Sequence, residues 1–309
     1  MAGETVVPAV AVAVADAVVA VGEHRTGLLP DHALGIGWRS EICGLIDQLD
    51  GLDFCEVIAE SLSTEVPPEL EALRERGTLV VPHGVTLSLG GADPVDDKRI
   101  AHLALCAERL SAPLVSEHVA FVRAGGLEAG HLLPVPRTRA SLDVLTRNII
   151  RTQEGLPVPL AVENIAALFD WPDDEFTESE FLTELVERTG AYLLIDIANV
   201  YANARNRGRD PLTELRRLPV DRLAYCHIAG GIESGGHYHD THQHPVPTEV
   251  LTLVAEFTTD CPAPLMLERD GNYPPAEELL DELDAIANAG ARAPITARAR
   301  AARTIRGRV

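Results

Sequence analysis

The chain has 309 residues, of which 46% are hydrophobic and 24% charged, a composition typical of a globular protein with a sizeable core. Its formal net charge of −21 opposes binding to DNA or RNA, because their phosphates repel an acidic protein. The five cysteines form no C-x-x-C pair, which argues against a zinc ribbon or a disulfide framework and favours a reduced, cytoplasmic protein.

Residues 1–30 are predicted to form an extension in front of the fold. Its stretch VVPAVAVAVADAVVAV (6–21) is apolar enough to suggest a signal peptide or a membrane span. No basic residue precedes this stretch, and Pro8 and Asp16 interrupt it. We therefore predict a flexible or loosely packed helical extension and no association with a membrane.

Short apolar runs then alternate with amphipathic stretches. The predicted strands are 33–38, 53–60, 78–84, 113–118, 159–164, 191–199, 222–230 and 263–270. The predicted helices are 40–49, 67–76, 95–110, 138–153, 177–189, 210–217, 247–258 and 275–289. Such repeated β-then-α units with continuous apolar strands indicate a parallel sheet. We predict an α/β protein with a single-domain (β/α)8 TIM barrel over residues 31–290.

A basic tail, residues 291–309, follows the predicted barrel. No acidic residue occurs after Asp284. The arginines of the tail are Arg292, Arg298, Arg300, Arg303, Arg306 and Arg308. A solvated, frayed helix is the favoured interpretation, and a segment that docks onto an acidic partner is the alternative.

Side chains that commonly bind metals end most of the later strands. They are His83, His118, Glu163, Asp196, Asn199, His227 and Glu268, with Asp240 and His242 in the loop after the seventh strand. The carboxyl ends of barrel strands meet at one face, so these groups should converge there. Buried carboxylates repel one another, and bound cations remove that cost.

The mixture of imidazole and carboxylate suits zinc, iron or manganese. Nine candidate ligands are too many for one ion, which predicts two or three ions bridged by carboxylates. Each residue alone has a simpler explanation: a histidine at a strand end is more often structural, Asp196 can cap a turn, and Glu268 can pair with an arginine. Their joint occurrence on one face favours the metal site.

The ordered motifs GIGWR, VPHGVTLSLG, SEHVAF, LLPVP, AVENI, LLIDIANVYANARN, CHIAGG, HDTHQHPVP and LERDGNYP resemble the DUF692 family of multinuclear non-haem iron-dependent oxidative enzymes. The resemblance runs from about residue 33 to about residue 289. It implies a TIM barrel that holds two or three irons, ferrous and ferric, and uses O2. It also implies a ribosomally made precursor peptide as substrate, often modified at cysteine, and a separate protein that presents this peptide.

The resemblance also assigns residues. His83, His118 and Glu163 match ligands on one side of the cluster, Asp196 and Asn199 match the middle, and His227, Asp240, His242 and Glu268 match the rest. We further predict that Glu60 and Asp270 are catalytic, and that Asn164, His239 and Arg269 contact the substrate. Ser61 stands where the family pattern has an asparagine, which puts the shape of the substrate pocket in doubt.

The alternative function is a zinc- or manganese-dependent hydrolase or isomerase of the class that includes endonuclease IV and xylose isomerase-like enzymes, which place similar ligands at strand ends. The charge of −21 argues against a nuclease. A sugar isomerase normally has a lysine near the metal, whereas Lys98 is predicted on an outer helix. A metal-storage protein or scaffold is the non-enzymatic alternative, and the ligand types alone do not decide which metal is bound.

Overall fold

The computed structural model describes residues 26–63 and 65–306. Residues 1–25 of the predicted extension and Arg308 of the predicted tail lie outside the described residues. The end of the extension is packed, because Leu28 and Leu29 contact the apolar floor of the barrel. No helix in the described ranges combines the length and the apolar character needed to cross a bilayer.

Eight parallel strands close into a barrel within the described residues, in the spatial order β1-β12-β9-β8-β7-β4-β3-β2. These strands are β1 (Leu34–Trp38), β2 (Phe54–Ile58), β3 (Leu79–Gly84), β4 (Val115–His118), β7 (Leu160–Glu163), β8 (Tyr192–Asp196), β9 (Leu223–Ile228) and β12 (Leu265–Leu267). Two antiparallel hairpins lie outside the barrel: β5 (Ala120–Ala124) with β6 (Leu127–Pro134), and β10 (Gly231–Ser234) with β11 (His237–Asp240). The predicted (β/α)8 TIM barrel is confirmed.

Helices surround this barrel. They are α1 (Cys43–Ile46), α2 (Pro68–Glu75), α3 (Asp97–Leu110), α4 (Arg139–Glu154), α5 (Glu178–Thr189), α6 (Ile197–Asn206), α7 (Pro211–Arg216), α8 (Thr248–Asp260), α9 (Ala276–Ala289) and α10 (Ala297–Arg306). Their ends follow local chemistry. Thr177 and Glu180 form a capping box at the start of α5, and Gly190 ends that helix in the left-handed conformation.

The sequence prediction was wrong at three places in this arrangement. Residues 197–199 begin helix α6 instead of extending the sixth barrel strand, because the Asp196 carboxylate accepts a hydrogen bond from the Asn199 backbone N–H and caps the helix. The segment between β4 and α4, for which no strand was predicted, forms the β5–β6 hairpin. The segment after β9 forms the β10–β11 hairpin.

Alternate residues of the barrel strands face inward and form an apolar floor. The floor consists of Phe54, Val81, Leu114, Ala161, Leu194, Ala224, Tyr225 and Met266, together with Leu29 and Ala33, which precede β1. Ala224 and Tyr225 are consecutive because the register shifts where β8 pairs with β9. The intervening residues, such as Ile36 and Val57, face outward and pack in the core that includes the helices. This alternation follows from the two-residue period of a strand, and it places the next inward residue of each strand above the floor.

The basic tail packs against the chain's own acidic helix. In α10, the Arg300 guanidinium lies 2.7 Å from Asp281 and 2.8 Å from Asp284, both on α9. Arg303 pairs with Glu277 at 2.6 Å. Arg292 is buried and donates a hydrogen bond to the His32 carbonyl at 3.1 Å. These three arginines of the segment therefore pair with carboxylate and carbonyl groups of the same chain.

The five cysteines are free thiols, as the sequence predicted. Cys55, Cys106 and Cys226 are buried. Burial and the nearby Glu60 carboxylate raise the pKa of the Cys106 thiol to about 11. A neutral thiol is a poor nucleophile, so these cysteines fill the core.

The inward approach of β1 to Phe54 requires glycine. A Cβ on Gly35 would lie 2.7 Å from the Phe54 ring, whereas a Cβ on Gly44 in α1 would meet nothing within 4 Å. We expect Gly35→Ala to lower the free energy of unfolding by about 1–3 kcal/mol, the usual cost of overpacking a core. Urea denaturation measures this effect, with Gly44→Ala as the matched control. Equal urea midpoints for Gly35→Ala and the unsubstituted protein would contradict this expectation, because they would show that Phe54 can move to accommodate the added methyl group.

Candidate metal centre

A polar layer lies directly above the apolar floor, at the carboxyl ends of the barrel strands. Its members each stand two residues after a floor residue: Glu56, His83, Ser116, Glu163, Asp196, His227 and Glu268. His118 follows Ser116 by a further two residues on β4. All these side chains are buried. The inward register of the barrel strands therefore brings the predicted ligands together.

The first group of convergent side chains consists of His83, His118 and Glu163. The Nε2 atoms of the two histidines are 3.3 Å apart. The Glu163 Oε2 atom lies 3.5 Å from His83 Nε2 and 3.3 Å from His118 Nε2. Three donor atoms in such proximity can bind one cation.

The second group lies deeper across the barrel and shares Glu163. It consists of Glu163, Asp196, His227 and Glu268. The His227 Nδ1 atom is 3.3 Å from Glu163 Oε1 and 2.7 Å from Glu268 Oε2. The two oxygens of Glu163 thus face different groups, which is the arrangement of a bridging carboxylate.

A third group, nearer solvent, consists of Asp196, Asp240 and His242. The His242 Nε2 atom is 2.9 Å from Asp240 Oδ2 and 3.2 Å from Asp196 Oδ2. His242 has a φ of +52°, an uncommon conformation for a residue with a side chain. The other nitrogen of His242 faces Glu268 and Asp270, which completes a fourth, overlapping set of donor atoms.

Atoms without hydrogen bonds test whether this donor set fits a metal. Within residues 26–63 and 65–306, the buried side-chain atoms of this layer that make no hydrogen bond are Glu56 Oε1, Glu163 Oε2, Asp196 Oδ2, His227 Nδ1, Asp240 Oδ1 and Glu268 Oε2. His227 Nδ1 and Glu268 Oε2 are 2.7 Å apart and still make no hydrogen bond. Orphaned buried donors and acceptors are costly, and cations would satisfy them. The residues therefore fit a multinuclear metal centre.

A further layer of side chains orients the histidines. His227 Nε2 lies 2.9 Å from Glu56 Oε2, and His118 Nδ1 lies 3.2 Å from Glu117 Oε1. His83 Nδ1 lies 2.8 Å from the Ser116 hydroxyl. Each contact leaves the other ring nitrogen directed into a ligand group, as is usual for histidines that bind metals.

Glu56 and Glu117 were not predicted from the sequence. Glu56 accepts a hydrogen bond from the Tyr225 hydroxyl, and Tyr225 in turn lies 2.7 Å from Ser116. The signal for Glu56 was its alternation with Phe54, which places both residues inside the barrel. Glu117 accepts a backbone hydrogen bond from Leu87, so it also fixes the loop after β3.

Burial and neighbouring charges shift the pKa values of the centre in both directions: burial would raise the pKa of Glu268, but His227 and His242 hold it well below its ordinary value. Burial raises the pKa of Asp196, and the neighbouring Asp240 carboxylate raises it further. Burial alone would lower the pKa of His227, but Glu268, Glu56 and Glu163 raise it well above its ordinary value. The metal-free centre therefore holds protons to balance its negative charge.

Four predicted site residues lie away from the donor groups. Glu60 is exposed and accepts hydrogen bonds from the Val85 N–H and the Thr86 hydroxyl in the loop after β3. The Arg269 side chain is buried and pairs with Glu282 on α9, because it faces outward where its neighbour Glu268 faces inward. Arg269 thus points away from the donor groups, and its contact with a substrate stays a prediction.

The other two, Asn164 and His239, have structural contacts, as does the predicted ligand Asn199. Asn164 Oδ1 accepts a hydrogen bond from the backbone N–H of Asp196 at 2.9 Å, and Asn164 Nδ2 donates one to the backbone carbonyl of Asp196 at 3.2 Å. These two bonds fix the end of β8. The Asn199 amide donates to the Asn164 carbonyl at 3.1 Å. His239 Nε2 lies 3.1 Å from the Ser234 carbonyl within the β10–β11 hairpin.

The sequence profile described as "RiPP precursor modification enzyme MbnB/TglH/ChrH" matches residues 33–291. A UPF0276 protein of Streptomyces avermitilis is 53% identical over 272 residues, which are 85% of this chain and 56% of the relative. A UPF0276 protein of Caulobacter vibrioides is 38% identical over 237 residues, 75% of this chain and 84% of the relative. This chain thus spans about half the length of the Streptomyces relative.

Solved structures resemble the fold at low sequence identity. Endonuclease IV from Thermus thermophilus superposes with a TM-score of 0.56 and 20% identity, over 83% of this chain and 98% of that one. The 3-keto-D-glucoside 4-epimerase YcjR from E. coli gives a TM-score of 0.53 with 14% identity, over 83% of this chain and 98% of that one. At these identities the likeness establishes the barrel alone.

Glu163 serves two ligand groups, so its loss should affect both. We expect Glu163→Gln to remove most bound metal while the barrel still folds, because an amide nitrogen replaces one of the two facing oxygens. Elemental analysis by plasma mass spectrometry measures the metal, and circular dichroism measures folding. Glu60→Gln is the matched control and should retain the metal. Full metal content in Glu163→Gln would contradict the assignment of Glu163 as a shared ligand.

Metal binding should release protons. Burial alone would lower the pKa of His118, but Glu163 and Glu117 raise it to about 9. The imidazole is therefore protonated at pH 7 in the metal-free protein, and a cation has to displace that proton. We expect the affinity for metal to increase as the pH rises toward 9. Calorimetry in two buffers of different ionisation enthalpy measures the released protons, and an affinity that is constant from pH 6 to pH 9 would refute this account.

Proposed function

This chain belongs to the RiPP precursor modification enzyme family MbnB/TglH/ChrH, and we propose that it is an iron-dependent enzyme that uses O2 to oxidise a residue, often cysteine, of a ribosomally made precursor peptide. The observation that carries this proposal is the set of adjacent donor groups joined by Glu163, Asp196 and Glu268. When bound, iron would supply the redox chemistry and the activation of O2 that no protein side chain of this centre provides.

The chain's own residues determine the direction from which a substrate approaches. Phe54, Tyr225 and Met266 fill the floor, so the barrel is closed on that side. On the opposite side Asp270 is exposed, and the His242 side chain keeps 16% of its accessible surface. A substrate therefore reaches the centre through the mouth, past Asp270 and His242.

The mouth has apolar features that suit a peptide. In the described part of the chain, the exposed large hydrophobic side chains are Leu127, Ile150, Leu168, Phe169 and Ile232. All except Ile150 lie on segments that follow the carboxyl ends of β4, β7 or β9. Exposed apolar side chains on the loops at one face of a barrel can contribute to a surface that binds a protein or peptide. By family resemblance, we propose that a separate protein presents the peptide to this surface.

The alternative, a zinc- or manganese-dependent hydrolase or isomerase, has support from the fold that this chain shares with an endonuclease and an epimerase. Two features favour the oxidative function. Lys98, the single lysine, is exposed at the start of the outer helix α3. The net charge of −21 also disfavours a nucleic-acid substrate.

The test of function needs a peptide probe. A short cysteine-containing peptide encoded beside this chain's gene would be incubated with iron-loaded protein and O2, with and without the neighbouring gene product that presents it. We expect a mass change in the peptide, and none without O2, with zinc-loaded protein or with Glu163→Gln. An unchanged peptide together with phosphoester hydrolysis or sugar isomerisation by the zinc or manganese form would favour the alternative function.

A further inference from the structure

The two nitrogens of His242 both face carboxylates. Nε2 is 2.9 Å from Asp240 and 3.2 Å from Asp196, while Nδ1 is 3.1 Å from Glu268 Oε2 and 3.2 Å from Asp270 Oδ2. A neutral imidazole has a free lone pair on one nitrogen only, and its other nitrogen carries hydrogen. His242 can therefore bind a cation on one side, and it must donate a hydrogen bond on the other.

The hydrogen-bonding state of the carboxylates identifies the cation side. Asp196 and Asp240 are buried, and Asp196 Oδ2 and Asp240 Oδ1 make no hydrogen bond among the residues that the structure describes. Asp270 is 41% exposed, and both of its oxygens have partners: Oδ1 accepts from Arg39 at 2.6 Å, and Oδ2 lies 3.2 Å from His242 Nδ1. Two unsatisfied atoms, from two buried carboxylates, are thus on the Nε2 side. On the Nδ1 side Asp270 is satisfied, and the one unsatisfied atom, Glu268 Oε2, also lies 2.7 Å from His227 Nδ1 and belongs to the second donor group.

Arg39 already supplies the positive charge on the Nδ1 side. Its guanidinium is 2.6 Å from Asp270 and 3.7 Å from Glu268, and it also donates to the Trp38 carbonyl at 3.0 Å. Burial alone would lower the pKa of Arg39, but Asp270 and Glu268 raise it, so the guanidinium stays charged. A Cβ at position 37 would lie 3.2 Å from Arg39 Nη1, so Gly37 leaves room for this conformation.

We propose that Arg39 and Asp270 are positioning residues that hold His242 with Nε2 toward Asp196 and Asp240 and thereby control the affinity of the outermost cation site. This inference rests on the metal dependence in the proposed function. Asp270 also donates its backbone N–H to the His242 carbonyl at 2.8 Å, which fixes a residue whose φ is +52°. The pair thus restrains both the ring and the backbone of His242.

Two other histidines of the centre are also held by a carboxylate at one ring nitrogen. Glu56 holds His227 and Glu117 holds His118, and both of these carboxylates are fully buried. Asp270 differs because it is exposed and depends on a guanidinium from the β1–α1 loop. The outermost site should therefore be the one whose occupancy changes when this single ion pair is broken.

The experiment measures cobalt(II) binding to the metal-free full-length protein, by anaerobic titration followed by elemental analysis and visible absorption spectroscopy. We expect Arg39→Gln and Asp270→Asn to weaken one cation per chain by about tenfold or more, the usual cost of losing the partner of a ligating histidine. The remaining cations and their absorption bands should stay unchanged. Arg39→Lys should restore part of the affinity, because lysine keeps the charge but loses the planar fork.

Arg137→Gln is the matched control, since Arg137 also pairs with carboxylates, Asp170 and Asp174, without touching the donor groups. Thermal unfolding of each variant confirms that it folds. Unchanged cobalt binding in Arg39→Gln would overturn the inference while leaving the proposed function intact. An additional cation in Arg39→Gln would also overturn it, because Asp270 would then be a ligand that Arg39 blocks. An unsubstituted protein that binds no cation would refute both this inference and the proposed function.

Discussion

Buried negative charge is the constraint on which the arrangement of this molecule depends. Glu56, Glu163, Asp196 and Glu268 meet inside the barrel above an apolar floor, where water does not screen their repulsion. The imidazoles and the Tyr225 hydroxyl contact some of the carboxylate oxygens, and other oxygens of the centre make no hydrogen bond. Cations bound at the shared carboxylates would neutralise the remaining negative charge. The same cations would therefore stabilise the centre and supply its chemistry.

The barrel makes this concentration of charge possible because the side chains of its strands alternate between the inside and the outside, with one shift of register where β8 pairs with β9. On each of these strands a floor residue and a residue of the polar layer are two positions apart. The register that packs the floor therefore also directs the polar side chains into the barrel. Structures as different in activity as endonuclease IV and a sugar epimerase share this scaffold. Function therefore depends on which side chains occupy the mouth and on what orients them.

The sequence was sufficient to predict the barrel and the convergence of His83, Glu163 and Glu268, because strand ends are marked by apolar runs and the fold fixes where those ends meet. It was insufficient for contacts that depend on tertiary geometry. Glu56 lies within a strand, and nothing in the sequence indicates that its carboxylate contacts His227. Arg269 adjoins a ligand in sequence but faces the helices, which strand alternation implies once Glu268 is known to face inward.

The most direct test of the account is elemental analysis of untagged protein purified without oxygen. We predict about two to three iron ions per chain, because adjacent donor groups share carboxylates. Zinc or manganese in that ratio with negligible iron would contradict the oxidative function and favour a hydrolase or isomerase. Protein that is folded but holds no stoichiometric metal would contradict the assignment of the centre itself.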